Sequence, residues 1–144
     1  FVEAAAANPG AVAVHIGYSE PLSHAMQAGA DAILVPSRFE PCGLTQLYGL
    51  RYGTIPVVAR TGGLADTVID ANDASVRAGS ATGIQFAPVS ASGLGFAIER
   101  LFDLFHNKKV WRALQARAMA HPVGWEDSAP DYVALYRELT AEGV

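Results

Sequence analysis

Ser37, Arg38, Glu40, Cys42, Gly43 and Thr45 stand together in one short string, Pro36-Ser37-Arg38-Phe39-Glu40-Pro41-Cys42-Gly43-Leu44-Thr45. A polar residue, a cation and a carboxylate thus lie just ahead of a helix expected over Gly43–Tyr52 and stopped at Gly53. Gly43 has no side chain, so a ligand can approach its backbone closely. The amides of Gly43, Leu44 and Thr45 would be unpaired in the first helical turn. They would point outward at the positive end of the helix dipole, which suits a phosphate. Thr45 adds a hydroxyl donor. Glu40 would repel a phosphate set against it, and its carboxylate is better suited to accepting hydrogen bonds from neutral sugar hydroxyls. An anion-friendly helix start beside an acceptor carboxylate fits a sugar phosphate. It also fits a capped helix beside a surface Glu, and the residues alone leave both open.

Such residues act only if elements bring them to one place. Alternating strands and helices are expected along the chain, which means a parallel sheet with helical crossovers. Phe1 to Ala7 reads as a helix end stopped by Asn8-Pro9-Gly10. Val12, Val14 and Ile16 alternate as in a strand. Ser19 caps a helix to about Ala28, ended by Gly29. Ala32–Val35 and Ile55–Ala59 are apolar runs, the mark of strands buried on both faces. Thr61-Gly62-Gly63 is a turn before a helix over about 64–69. Residues 70–82 read as a polar surface loop, and Ile84-Gln85-Phe86 as a short strand. Beyond it, Leu94, Ile98, Leu101 and Phe105 share a helical face, as do Val110, Leu114 and Ala118. A last stripe runs over Trp125, Ala129, Tyr132, Tyr136 and Leu139, its regular helix expected only from about Ser128 because Pro130 lacks a backbone donor. Phe96, Phe102 and Phe105 are expected as core or interface packing. In such sheets ligands bind beyond the carboxyl ends of the strands. Those ends carry Tyr18, the Pro36–Gly43 loop and Arg60-Thr61-Gly62-Gly63.

Composition narrows the classes. A chain of 144 residues makes one domain with a real core. Apolar residues form 51% and charged ones 17%, which excludes a disordered tail. Ten Lys plus Arg against fourteen Asp plus Glu give a net charge of −4 and argue against general nucleic-acid binding. One cysteine, Cys42, allows no disulfide within the chain, and no His base stands near it for nucleophilic work. His15, His24, His106 and His121 lack metal-ligand spacing. No apolar run approaches a membrane span and no signal peptide opens the chain, so no membrane and a cytoplasmic setting are expected. Gly93-Leu94-Gly95 is no dinucleotide fingerprint, since position 98 is Ile and no strand directly precedes it. The chain opens at Phe1 inside an Ala-rich run and is expected to be part of something longer.

The stretch Ala30–Leu50, with Arg-Phe-Glu-Pro-Cys-Gly-Leu-Thr-Gln at its centre, closely resembles bacterial glycogen synthases, and plant starch synthases share the motif. The likeness continues through Arg51-Tyr52-Gly53, Ile55-Pro56-Val57-Val58 and Arg60–Val68, and Ile16-Gly17-Tyr18 followed by Ser23-His24 also fits. The resemblance implies a glycosyltransferase of the GT-B type with two Rossmann-like halves. Residues 1–144 would be most of the C-terminal, donor-binding half, with the N-terminal domain, its glycine-rich loop and its acceptor groove absent. The implied chemistry moves glucose from ADP-glucose to the non-reducing end of an α-1,4-glucan, with retention at the anomeric carbon. It requires no metal and no cofactor, ADP-glucose being a substrate.

By the same resemblance Glu40 is the key carboxylate beside the donor glucose, holding sugar hydroxyls and stabilising positive charge at the ring. The backbone around Cys42 and Gly43 would touch the sugar. Leu44 and Thr45 would meet the distal phosphate, Tyr18 would stack on adenine, and Ser37 and Arg38 would line the loop. Many GT-B relatives carry a second carboxylate eight positions after the first. Tyr48 stands there, as in bacterial glycogen synthases. An Arg and a Lys that neutralise the diphosphate in the family would lie before Phe1, since no Lys or Arg precedes Arg38. The chain alone is therefore expected to be inactive and to bind ADP weakly. The last helices of the family cross back onto the N-terminal domain, so apolar surface over Trp125–Leu139 is expected to be orphaned. Two other readings remain: a non-catalytic nucleotide-binding or assembly module, and a transferase that uses another nucleotide sugar.

Overall fold

The computed structural model describes residues 1–141. Its helices are α1 (Val2–Ala7), α2 (Glu20–Gly29), α3 (Thr45–Tyr52), α4 (Gly62–Thr67), α5 (Asp73–Ala78), α6 (Ala91–His106), α7 (Lys108–Ala120) and α8 (Trp125–Ala141). Its strands are β1 (Ala32–Val35), β2 (Ile55–Ala59) and β3 (Ile84–Phe86). They form one parallel sheet in the order β1-β2-β3, with Ala32 opposite Ile55 and Val57 opposite Ile84.

β2 lies at the centre and every residue in it is buried. Side chains alternate across a strand. Ile55, Val57 and Ala59 therefore join Leu50, Ile84, Trp111 and Leu114 in the main core. Val58 faces the other side and meets Leu64 and Val68 at α4. β1 departs from the expected two-sided burial. Leu34 is 46% exposed, because β1 is the sheet edge. The strand expected over Val12–Ile16 does not form, and Ile16 is 79% exposed. A parallel strand exists only through a neighbour's ladder of hydrogen bonds, and this segment, between Gly10 at φ +83° and Gly17 at φ +139°, pairs with none among the described residues.

Other boundaries moved for local reasons. Ser19 does cap α2, its Oγ accepting from the Leu22 amide at 3.4 Å, but Gly29 stays helical and Ala30 turns the chain out. α3 begins at Thr45 rather than Gly43, and α4 at Gly62 rather than Leu64. Residues 70–82 hold the short helix α5 instead of a continuous loop, and Ala71, Ala81 and Thr82 in that stretch are buried. Asn72 Oδ1 accepts from the Ala74 and Ser75 amides at 3.0 and 3.1 Å, a cap that compensates for the helix's short length. α8 starts at Trp125 with Pro130 inside it. The proline sits in its second turn, past the four donors that are free at any helix start, so α8 forgoes one intrahelical bond there. Phe105 packs edge-on against Trp111 with ring centres 5.2 Å apart, as expected of core. Phe96 and Phe102 do not pack inside and are exposed on α6. No residue of α8 is buried, and Trp125, Tyr132, Tyr136 and Leu139 all face outward.

Asp70 ties the two ends of the β2–β3 crossover together. Its Oδ1 accepts from the Gln85 amide at 2.8 Å and from Arg100 Nη2 at 3.0 Å, and Oδ2 takes a second bond from Nη2 at 3.1 Å. Both side chains are about three-quarters buried. Removing the cation leaves this carboxylate partly desolvated with one backbone donor. Arg100→Leu is therefore expected to lower stability by about 1–3 kcal/mol. Urea unfolding, with an unchanged denaturant slope, is the measurement, and a change under a few tenths would refute the role.

Candidate functional site

The carboxyl ends of β1 and β2 place two segments side by side, the loop over residues 36–44 and the start of α4. Their contact is backbone on backbone. A Cβ added at Gly62 would strike the Glu40 carbonyl oxygen, and one at Gly63 would strike the carbonyl and Cα of Cys42. The Gly63 amide donates to the Pro41 carbonyl at 3.3 Å. Gly62 and Gly63, which the sequence reads as either a plain turn or a ligand contact, are thus the seat on which the loop rests.

Gly43 has φ +79°, a conformation open to glycine at little cost. Beneath it lies Gln46, fully buried. Its Nε2 donates to the carbonyls of Cys42 and Gly43 at 3.0 and 2.8 Å. Among the described residues, no acceptor meets the amides of Gly43, Leu44 or Thr45. The unpaired donors expected at this corner are present, carried by the residues just before and at the start of α3.

Glu40 is half-buried at the loop's crest, and the Ser37 hydroxyl donates to its Oε2 at 3.4 Å. Most of its acceptor capacity is unspent. The Cys42 thiol is free and exposed, with Sγ 3.8 Å from the Gly43 carbonyl oxygen. Tyr18 is 91% exposed, so its ring packs against almost nothing. Tyr18 and Thr45, far apart in sequence, border one cavity of about 350 Å³ together with Ser23, Met26, Gln27 and Ile33. Arg38 is not brought there. It lines a separate cavity of about 150 Å³ with Pro36, Phe86, Val89 and Ser90. Of the sequence-predicted residues, then, Tyr18 and Thr45 share a cavity, Ser37 and Glu40 touch each other, and Cys42 to Thr45 form the backbone corner between them. Arg38 stands apart.

Sequence reasoning missed Gln46 and Thr67, which tie the corner from below, and the neighbours of Tyr48. The His24 ring lies edge-on to Tyr48 at 5.2 Å, and His24 Nδ1 is 3.0 Å from the Tyr52 hydroxyl. A glutamine three positions after a glycine at a helix start was the available signal for Gln46. Among the described residues, no three His, Cys, Asp or Glu side chains gather in a way that could hold a metal. Likewise no helix is long and apolar enough to cross a membrane.

An all-parallel sheet flanked by helices, with its free amides and its cavity at the carboxyl ends of the strands, is the Rossmann-like architecture of a nucleotide-handling α/β domain. The chain is 65% identical over 139 residues to a glycogen synthase of Roseobacter denitrificans, covering 96% of the chain and 29% of that relative. It is 59% identical over all 144 residues to the glycogen synthase of Rhizobium johnstonii, 30% of that relative's length. Along essentially its whole length the chain matches bacterial glycogen synthases, and it spans about 30% of the length of these curated relatives. No protein-family model matches it. Among solved structures it is similar to the catalytic domain of starch synthase IV from Arabidopsis thaliana bound to ADP and acarbose. That likeness has a TM-score of 0.75 at 37% identity, over 85% of this chain and 25% of that one. Sucrose-phosphate synthase from Thermosynechococcus elongatus is similar over 81% of this chain and 27% of its own, with a TM-score of 0.59 at 31% identity. The expected fold, a parallel sheet with flanking helices as in half of a GT-B glycosyltransferase, is the fold found.

Proposed function

We propose that this chain is the donor-binding side of a retaining glucosyltransferase that moves glucose from ADP-glucose to the non-reducing end of an α-1,4-glucan. The observation that carries the reading is the single cavity bordered by both Tyr18 and Thr45, Thr45 following directly on Gly43 and Leu44, whose amides meet no acceptor among the described residues. A nucleotide laid in it stacks its adenine on the exposed Tyr18 ring. Its distal phosphate meets the amides of Leu44 and Thr45 and the Thr45 hydroxyl, donors placed at the positive end of α3. The hexose then falls against the backbone of Cys42 and Gly43 and under Glu40. That carboxylate holds sugar hydroxyls and offsets positive charge that develops at the anomeric carbon as the leaving diphosphate departs. Ser37 orients Glu40, and Arg38 lines the far side of the loop. The glucan and the remaining diphosphate contacts come from parts of the synthase outside this segment, in which residues 1–144 form the C-terminal donor domain.

Two further observations support the reading: identity to glycogen synthases along essentially the whole chain and the starch synthase whose structure was solved with ADP and acarbose. A second reading, another nucleotide sugar as donor, draws on the sucrose-phosphate synthase likeness, because a shared fold does not set the base. The test is a donor comparison in a full-length synthase carrying this segment. ADP-glucose is expected to be strongly preferred over UDP-glucose. Tyr18→Leu is expected to raise the KM for ADP-glucose by about tenfold, the worth of one aromatic stacking partner, with little change in kcat. Equal turnover of the two donors, or a Tyr18→Leu enzyme with unaltered KM, would overturn the base assignment.

A further inference from the structure

Resting on that reading of the site, we infer that Gln46 is a positioning residue, which never touches substrate but turns the amides of Gly43 and Leu44 toward the donor, the first to its hexose and the second to its distal phosphate. Gln46 is the second residue of α3 and fully buried. Its primary amide offers two N–H donors to three acceptors: Thr67 Oγ1 at 3.2 Å, the Gly43 carbonyl at 2.8 Å and the Cys42 carbonyl at 3.0 Å. Thr67 in turn donates its hydroxyl proton to the Gly63 carbonyl at 2.6 Å. One side chain therefore joins the loop after β1 to the helix after β2.

The direction of pull matters. In a trans peptide the carbonyl and the following N–H point opposite ways. Drawing the Cys42 carbonyl down onto Gln46 sends the Gly43 N–H up, and drawing the Gly43 carbonyl down sends the Leu44 N–H up. These are two of the amides that meet no acceptor among the described residues. Gln46 Oε1 is buried and unpaired, and it lies 2.5 Å from where a Cβ of residue 43 would stand. The amide is wedged directly beneath the glycine, so position 43 takes its conformation from Gln46 as much as from its own freedom.

The test uses a full-length synthase carrying this segment. Gln46→Leu keeps the apolar stem and removes both donors. Thr67→Val removes the link hydroxyl at a half-buried position, and Thr67→Ser keeps it. Gln46→Leu is expected to raise the KM for ADP-glucose about tenfold, leave the KM for glucan unchanged, and move the amide 15N–1H signals of Gly43 and Leu44 in the unliganded enzyme. Thr67→Val should do the same to a smaller extent and Thr67→Ser should behave as the parent. Should Gln46→Leu not fold, the Thr67 pair carries the comparison. The inference is overturned if folded variants leave the two amide signals in place, or if the KM values for donor and glucan rise together in step with lost thermal stability. If ADP fails to perturb those signals in the unsubstituted enzyme, the reading of the site falls, and this inference falls with it.

Discussion

Replacing Glu40 by Gln will lower glucan synthesis by a full-length synthase carrying this segment by about 10²–10³-fold, mainly in kcat. The change is nearly isosteric and keeps one carbonyl acceptor for a sugar hydroxyl, so donor binding should weaken only a few-fold. It removes the negative charge that the proposed site sets beside the reacting carbon, and aimed charge of this kind is worth about 10²–10³-fold in rate. Ser37 donates to the carboxylate, so Ser37→Ala should move the same rate in the same direction by a smaller factor. Initial rates with ADP-glucose and a glucan primer measure both. Near-parental synthesis by the Glu40→Gln enzyme would remove Glu40 from the chemistry. It would also favour the reading of this domain as a non-catalytic nucleotide-binding or assembly module.

The second large effect is steric. Gly63→Ala will destabilise the fold by about 1–3 kcal/mol or more and displace the loop over residues 40–43. Gly63 does not need a left-handed backbone, so the whole effect comes from the added methyl. That methyl would overlap the Cα, carbon and oxygen of Cys42, and a backbone cannot swing aside as the end of a flexible side chain can. Relief requires parting the loop from α4, which breaks the bond from the Gly63 amide to the Pro41 carbonyl and tilts Glu40 away from the corner. Urea unfolding and the KM for ADP-glucose should therefore worsen together. Gly95→Ala on α6 is the control, because nothing lies within 4 Å of that added methyl. A Gly63→Ala enzyme as stable as the parent would show that the loop does not rest on this helix start.

Much of the molecule could be foretold because it depends on near neighbours. Ser19 caps α2 and Gly53 ends α3 through bonds that span a few residues. The apolar run Ile55–Ala59 marked a buried strand, and all five of its residues are buried. The string from Ser37 to Thr45 announced donors and a carboxylate at one corner, and α3 with its free amides delivers them there. The helix α5 was within reach of the same logic, with Asn72 to cap it and Gly79 to end it, but six residues are too few for a periodic pattern to show.

What the fold alone decided is every feature that needs two distant segments to meet. Residues 12–16 carry strand spacing and form no strand, because pairing is a property of two segments and none of the described residues pairs with them. Tyr18 and Thr45 share a cavity while Arg38 lines another with Phe86 and Val89, because distant segments packed around the loop build the two cavities. The seat made by Gly62 and Gly63, and the Gln46–Thr67 tie across 21 positions, arise only when the ends of β1 and β2 are placed side by side. A lone amino-acid string specifies short-range hydrogen bonds and which residues prefer to leave water. The aim of a backbone amide is set by what pulls on the carbonyl behind it, and that partner is chosen by packing.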